Sequence, residues 1–135
     1  MDRTLILVKP DAFARNLTGE ILARFERKGL RIVALRQLTA DDAIANRHYE
    51  EHTEKPFFGE LVEFITGGPL VAAVLEGDQA VPAARQLIGA TNPIEAAPGS
   101  IRGDYATEVT FNLVHGSDSD ESAAREAGLF FPELG

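Results

Sequence analysis

The longest uninterrupted apolar segment of the chain covers residues 70–75 and reads LVAAVL. It follows a Gly-Gly-Pro sequence at residues 67–69, which ends any helix that reaches it. A short, wholly apolar segment with such a boundary is typical of a strand that is buried on both faces of a sheet. The segment therefore predicts a central strand, and the rest of the fold must supply its neighbours and its cover.

Three other segments have the character of strands. Residues 5–8 and 32–35 are short apolar runs, the first ended by Pro10, and apolar residues alternate with polar ones over residues 109–113. Apolar residues recur at helical spacing over residues 17–25, 58–65 and 81–88, and Gly29 predicts the end of the first of these helices. Helix starts are predicted at Thr39, at Asp78 and at the capping-box pattern from Asp118 to Glu121.

The order of these segments is β-α-β followed by β-α-β, with extra helices between them. This order predicts an α/β (α+β) sandwich of the ferredoxin-like βαββαβ type, in which a four-stranded antiparallel sheet is covered by helices. No repeat, low-complexity tract or linker divides the sequence, and 135 residues suit one core. We expect residues 1–135 to form a single domain.

Charge and composition exclude several classes of function. The chain has 13 Lys and Arg against 21 Asp and Glu, a net charge of -8, which gives no general attraction to nucleic acid or to acidic membranes. There is no cysteine, so disulfides and thiol catalysis are excluded. The apolar run near the N-terminus is too short for a signal peptide or a membrane span. We expect a cytoplasmic protein with no membrane partner and no specific nucleic-acid partner.

Common nucleotide and metal motifs are also missing from the sequence. Neither a G-x-x-x-x-G-K-[ST] loop nor a G-x-G-x-x-G loop occurs, so P-loop and dinucleotide-binding folds are disfavoured. H-E-x-x-H is absent and the chain has only 3 histidines, which disfavours a zinc site ligated by the protein.

The segment His115-Gly116-Ser117-Asp118 is the strongest candidate for chemistry, because it places an imidazole between a predicted strand and a predicted helix. An imidazole is nucleophilic near neutral pH, and a partner on one ring nitrogen decides which nitrogen can react. The alternative is a surface histidine beside an ordinary helix cap. Strict alternation would also put Asn112 and His115 on opposite faces, so a shared pocket requires a break in the pleat near Val114.

Three cations could converge on a phosphate. Lys9 ends the first predicted strand, Arg85 lies on the polar side of a helix, and Arg102 closes the loop over residues 89–103. Each one alone is typical of a solvated surface charge, whereas together they are the donors that phosphate oxygens require.

Aromatic residues form a second candidate feature. After Pro56, the rings of Phe57 and Phe58 either both join the core or leave one exposed as a stacking platform for a base. Tyr49 is interpreted as a packing residue, and we expect no catalytic role for His48 or His52.

Six motifs, taken together and in order, resemble the nucleoside diphosphate kinase family over essentially the whole chain. They are Lys9-Pro10-Asp11, Lys55-Pro56-Phe57-Phe58, Gly68-Pro69, Thr91-Asn92-Pro93, Ile101-Arg102-Gly103-Asp104 and the segment from Asn112 to Ser119. Each fragment is weak evidence alone, but their combination is specific.

The resemblance implies that His115 takes the γ-phosphoryl group of a nucleoside triphosphate as phosphohistidine and passes it to a nucleoside diphosphate. It implies that Glu126 and Ser117 support His115, and that Lys9 and Tyr49 lie near the transferring group. The implied phosphate-binding residues are Arg85, Thr91 and Arg102, the implied base clamp is Phe57 and Val109, and the implied ribose contacts are Lys9 and Asn112. A clamp of this kind implies broad base tolerance.

Further expectations concern Mg²⁺ and assembly. The resemblance implies that Mg²⁺ bridges the nucleotide phosphates with no direct protein ligand, and that the chain forms a homo-oligomer, with a hexamer favoured over a tetramer. Two residues depart from the family pattern: Ala12 replaces a usual glycine, and Phe130 replaces a usual tryptophan. A non-catalytic nucleotide sensor and a protein-interaction domain are the competing interpretations.

Overall fold

A four-stranded antiparallel sheet forms the centre of the protein in the computed structural model, which describes residues 2–134. The strands are β1 (Asp2–Val8), β2 (Arg31–Leu38), β3 (Leu70–Gly77) and β4 (Val114–Gly116). They lie in the order β2-β3-β1-β4, and every neighbouring pair is antiparallel. This topology confirms the predicted sheet, with the segment at residues 70–75 in one of its two central strands.

Helices cover both faces of the sheet. The described residues form α1 (Pro10–Ala14), α2 (Thr18–Lys28), α3 (Asp42–His48), α4 (Phe58–Thr66), α5 (Ala80–Ile88), α6 (Ile101–Tyr105) and α7 (Asp120–Phe130). Two 3₁₀ turns, Glu50–His52 and Pro132–Leu134, follow α3 and α7. None of the helices described is both long enough and apolar enough to cross a bilayer.

Alternate residues of β1 belong to two separate hydrophobic clusters. Ile6 and Val8 pack with α2, α5 and α6, whereas Leu5 and Leu7 pack with α3, α4 and α7. Successive side chains of a strand point to opposite faces, so a strand covered on both sides must be apolar at every position. β1 and β3 therefore contain uninterrupted apolar runs because helices cover both faces of the sheet.

The fourth strand is shorter and later than the sequence predicted. The expectation of a strand with one buried face over residues 109–113 is wrong, because Val109 and Phe111 are 53% and 47% exposed and β4 begins only at Val114. Leu113 has φ 76°, in the left-handed region, so an extended strand cannot pass through it. The expected break in the pleat exists, and it lies at Leu113.

Helix caps also differ from the predicted ones. Asp41, not Thr39, caps α3 by accepting a hydrogen bond from the Ile44 amide at 2.8 Å. Ser119, not Asp118, caps α7. At the start of α5, Gln79 replaces the predicted Asp78 and makes no side-chain cap bond. Gly29 ends α2 with φ 99°, as predicted.

Candidate active site

His115 lies in the middle of β4, on the sheet face that α3 and α7 cover. It pairs with Leu7 of β1, which is buried on that face. Directly opposed residues of an antiparallel pair project to the same side of the sheet. The strand therefore directs the imidazole towards α7, while 25% of the side chain stays exposed.

Glu126 of α7 is the hydrogen-bond partner of that imidazole. Its Oε1 atom lies 3.0 Å from Nε2 of His115 and also accepts a hydrogen bond from Oγ of Ser117 at 2.6 Å. Ser117 is fully buried directly after β4, and its Oγ accepts a bond from the Leu5 amide at 3.3 Å. The carboxylate is thus held by two residues of the β4 segment, and Ser117 is in turn held by β1.

The protonation state of Glu126 fixes the tautomer of His115. Burial alone would raise the pKa of the carboxyl, but the hydrogen bond and charge of His115, with the Ser117 hydroxyl, lower that pKa to about 2. An ionised carboxylate only accepts hydrogen bonds, so Nε2 of His115 carries the proton. The Nδ1 atom of His115 then keeps its lone pair.

Lys9 is a buried ammonium at the end of β1. Its Nζ donates to Oδ1 of Asn112, and its backbone amide donates to the Leu113 carbonyl at 2.9 Å. Burial lowers the pKa of Lys9 to about 8, with Asp11 opposing the shift and Arg102 adding to it. Lys9 is therefore a cation that nearby negative charge would stabilise.

Arg102, at the start of α6, is held by main-chain carbonyls. It donates to Asn112, Val114 and Gly89 at 3.2, 2.7 and 3.3 Å. Burial, followed by the charge of Arg85, lowers its pKa to about 10. Because no carboxylate pairs with Arg102 among residues 2–134, its charge is available to an anion.

Arg85 of α5 is more exposed and bridges two groups near the end of β4. Its Nη1 donates to the Gly116 carbonyl at 3.1 Å and to Oδ1 of Asp118 at 2.9 Å. The Asp118 side chain is 75% exposed, so the ion pair is weak and can exchange for another anion.

A cavity of about 520 Å³ joins these groups. Of the residues singled out from the sequence, it is lined by Lys9, Tyr49, Phe57, Arg85, Thr91, Arg102, Val109, Asn112, His115 and Glu126. Ser117 lies behind the wall and reaches the cavity through Glu126. The three cations that the sequence suggested thus share one cavity with the imidazole.

The outer part of the cavity is apolar. Phe57 and Val109 are 42% and 53% exposed, so neither ring nor aliphatic side chain joins the core. Lys55 lies 5.7 Å from the centroid of the Phe57 ring. Of the two interpretations of Phe57 and Phe58, an exposed ring at position 57 is the one observed.

Tyr49 and Thr91 occupy intermediate positions. Tyr49 directly follows α3, and burial together with the charge of Glu126 raises the pKa of its phenol to about 12. The Thr91 carbonyl accepts a hydrogen bond from Nδ2 of Asn112 at 3.2 Å, which ties the loop after α5 to the cavity.

His48 is the residue in this region that the sequence interpretation left out. Its ring, buried at the end of α3, meets the His115 ring at 82° with 4.7 Å between centroids. Burial, with His115, lowers the pKa of His48 to about 3, so the ring is neutral. One sequence feature could have indicated that His48 is buried: it follows Ala45, which is also buried, by three residues and so lies on the same face of α3.

The chain matches known proteins over nearly its whole length. The family model described as nucleoside diphosphate kinase matches residues 2–134. A nucleoside diphosphate kinase of Thermobifida fusca (strain YX) is 62% identical over 134 residues, 99% of each chain. A solved structure of a nucleoside diphosphate kinase family protein from Babesia bovis has a TM-score of 0.96 at 48% identity and covers 98% of this chain and 90% of its own.

A second solved structure is that of a halophilic nucleoside diphosphate kinase from Halobacterium salinarum in complex with CDP. It is 48% identical, has a TM-score of 0.94, and covers 96% of this chain and 87% of its own. The match of the family model over nearly the whole chain, the identity to the relatives and the shared fold lead to one conclusion. The chain belongs to the nucleoside diphosphate kinase family.

Proposed function

We propose that this nucleoside diphosphate kinase moves the γ-phosphoryl group of a nucleoside triphosphate to a nucleoside diphosphate through a phosphohistidine at Nδ1 of His115. The observation that carries the proposal is the 3.0 Å contact between Nε2 of His115 and Glu126. Because the proton is held at Nε2, the lone pair of Nδ1 is available as a nucleophile.

The first half-reaction forms one bond and breaks one. The Nδ1 lone pair of His115 forms a bond to the γ-phosphorus, and the bond from phosphorus to the β,γ-bridging oxygen breaks. The electron pair of that bond leaves with the nucleoside diphosphate. The ring becomes a cation, and the adjacent Glu126 carboxylate stabilises that positive charge.

The cations of the cavity would bind the charge that develops on the phosphates. Arg85, Thr91 and Arg102 are the proposed phosphate contacts, and Lys9 and Tyr49 are proposed to lie near the transferring group. Arg102 is fixed by three carbonyls and needs no reorganisation, which is the arrangement that stabilises phosphoryl transfer best.

The donor set of the cavity fits a nucleotide that carries Mg²⁺ on its own phosphates. Lys9, Arg85 and Arg102 bind phosphate oxygens and cannot ligate a cation. Asp118 is an exposed carboxylate of the cavity lining and could contact a metal-bound water. When bound, Mg²⁺ would neutralise part of the phosphate charge.

We propose that Phe57 and Val109 clamp the base and that Lys9 and Asn112 contact the ribose hydroxyls. Both proposed clamp residues present hydrocarbon surface, and every base has a π-face on which such a surface can stack. This chemistry supports broad base tolerance.

One site would serve both half-reactions, because a second nucleoside diphosphate enters the cavity that the first one leaves.

We further propose a homo-oligomer, with a hexamer favoured over a tetramer. Its support is apolar surface away from the cavity, where Ile94 is 71% exposed and Leu35 of the edge strand β2 is 54% exposed.

Steady-state kinetics test the mechanism. Double-reciprocal plots against the donor, at several acceptor concentrations, should be parallel, and His115→Asn should abolish turnover while ADP still binds. Intersecting lines would indicate direct transfer between two bound nucleotides, and retained turnover in the variant would remove His115 as the nucleophile. Normal ADP binding without any turnover in the unmodified protein would favour the nucleotide-sensor alternative.

A further inference from the structure

Two histidines and a glutamate meet on the inner wall of the cavity. His48, His115 and Glu126 each offer one ligand atom, and these atoms all lie within 4.8 Å of one another. The three residues come from α3, β4 and α7, and are 78 positions apart at most in the sequence. No short motif joins them, so a metal ligated by the protein was not expected from sequence.

Two of the separations lie on either side of the value expected for a tetrahedral metal site. Nε2 of His115 is 3.0 Å from Oε1 of Glu126, and Nδ1 of His48 is 3.8 Å from Oε2. Zinc binds imidazole nitrogen and carboxylate oxygen at about 2.0–2.2 Å, which places neighbouring tetrahedral ligands about 3.4 Å apart. The three ligand atoms lie up to 4.8 Å apart, so side-chain rotations that bring the furthest pair together by about an ångström would complete the site.

The Nδ1 atom of His48 is a buried polar atom without a partner. The side chain is 1% exposed, and Nδ1 makes no hydrogen bond within the described part of the chain. An unsatisfied polar atom in the interior is costly, and native proteins leave few of them. Here the atom faces the second oxygen of Glu126, across a gap that a small cation would fill.

We propose that His48, His115 and Glu126 form a site for Zn²⁺ or a similar transition-metal ion. Two imidazoles and one carboxylate are typical zinc ligands, with a fourth position left for water or another small ligand. Mg²⁺ prefers oxygen ligands, so this site is distinct from the one proposed for the nucleotide's metal.

Arg125 opposes the metal. Its Nη2 atom lies 3.9 Å from Oε2 of Glu126, while its Nη1 atom lies 3.6 Å from Glu50. A bound cation would repel the guanidinium, and movement of Arg125 towards Glu50 would relieve this repulsion. Removing the arginine charge should therefore strengthen metal binding.

Metal binding would inhibit phosphoryl transfer, a consequence that rests on the proposed function. A metal on Nε2 of His115 displaces the proton from that nitrogen, and the neutral, metal-bound ring then carries its proton at Nδ1. Nδ1 therefore has no lone pair for attack on phosphorus, and Glu126 ligates the metal instead of stabilising an imidazolium. The binding itself does not depend on the mechanism.

Calorimetric titration of the nucleotide-free protein with ZnCl₂ tests the site. We expect one Zn²⁺ per chain, affinity weakened by more than about tenfold in His48→Phe, and unchanged affinity in the matched control His52→Phe. Arg125→Gln should bind a few-fold more tightly. No binding, or binding that both phenylalanine variants retain equally, would overturn the proposal.

A second probe does not depend on the folding of a variant. Co²⁺ in a tetrahedral nitrogen and oxygen site gives strong visible absorption, and ¹⁵N shifts of the His48 and His115 rings report direct ligation. Absorption with shifts of both rings is expected, and shifts of His52 alone would place the ion elsewhere. If zinc binds but phosphorylation of His115 by ATP proceeds unchanged, the site stands and the inhibition does not.

Discussion

Nε2 of His115 lies 3.0 Å from Oε1 of Glu126, and the same oxygen accepts a 2.6 Å hydrogen bond from Ser117. Oε1 of Glu126 therefore orients the imidazole of His115. The same oxygen is held in place by Ser117, which lies two positions after His115 in the sequence. This relationship selects Nδ1 as the nucleophile and places a negative charge beside the cation that forms.

Glu126→Gln should slow phosphorylation of His115 by about 10²–10⁴-fold, the range expected when a histidine loses a carboxylate that sets its tautomer. The neutral amide neither holds the proton at Nε2 nor stabilises an imidazolium. Rapid-quench phosphorylation by ATP measures the effect, with the exposed Glu121→Gln on the same helix as control. An unchanged rate in Glu126→Gln would contradict the assigned role.

Lys9 should give the free enzyme an alkaline limb in kcat/KM. Its pKa is lowered from 10.5 to about 8, so the ammonium that would bind phosphate is lost as the pH rises through 8. The effect of Lys9 on stability has the opposite direction. Between about pH 8 and 10.5 the unfolded chain holds more protons than the folded chain, so the contribution of Lys9 to the free energy of unfolding increases as the pH rises.

Profiles of kcat/KM against pH check this assignment. Lys9→Met should be less active and should lack the limb near pH 8, whereas the exposed Lys28→Met should keep it. Tyr49 should add no limb there, because the pKa of its phenol is raised to about 12. A limb that persists in Lys9→Met would assign the titration to another group.

Substitution of Arg102 should destabilise the fold more than substitution of Arg85, although both residues are proposed to bind phosphate. Arg102→Met leaves three carbonyls without their donor and should lower the free energy of unfolding by about 2–5 kcal/mol. Arg85→Met removes a 42% exposed side chain and should cost less than about 0.5 kcal/mol.

Urea unfolding and nucleotide KM, measured on both arginine variants, separate the two effects. The KM for the nucleotide should rise in both variants, and only Arg102→Met should unfold at a lower urea concentration than the unmodified protein. Equal stability losses would mean that the carbonyl contacts of Arg102 contribute little to the fold.

Phe57→Ala should weaken the binding of purine and pyrimidine nucleotides to a similar extent. Loss of one stacking ring costs about 1–3 kcal/mol per base, and stacking tolerates every base. Titration with ADP, GDP and CDP measures the losses, with Lys55→Gln as a control that keeps the ring. A loss confined to one base would argue for specific hydrogen bonding instead of a general clamp.

The periodic parts of the fold were predictable because their patterns are local. The segments at residues 5–8 and 70–75 are apolar at each position because helices cover both faces, and Gly29 ends α2 with the positive φ that glycine permits. The residues to which the resemblance assigned roles, apart from Ser117, line one cavity, while the roles themselves stay predictions. The comparisons show the same family.

The start of β4 was not predictable, because distant residues determine it. Leucine rarely adopts a positive φ, and nothing in the local pattern marks Leu113 as an exception. Its amide donates to Asp11 at 3.1 Å and its carbonyl accepts from Lys9, contacts that join positions about 100 residues apart. Such contacts over-determine a strained backbone near functional sites.

The position of His48 beside His115 was not predictable for a similar reason. Its neighbours His115 and Phe130 lie on other elements, at ring-centroid distances of 4.7 and 5.6 Å. Phe130 contacts the His48 ring, which in turn contacts the ring of the proposed nucleophile.

The intact mass of the protein, recorded before and after brief incubation with ATP and Mg²⁺ and again after addition of GDP, tests the central claim most directly. The account predicts a gain of one acid-labile phosphoryl group on His115, discharged by GDP and absent in His115→Asn. Folded protein that binds ADP and yet gains no phosphoryl group, or that carries it on another residue, would contradict the account.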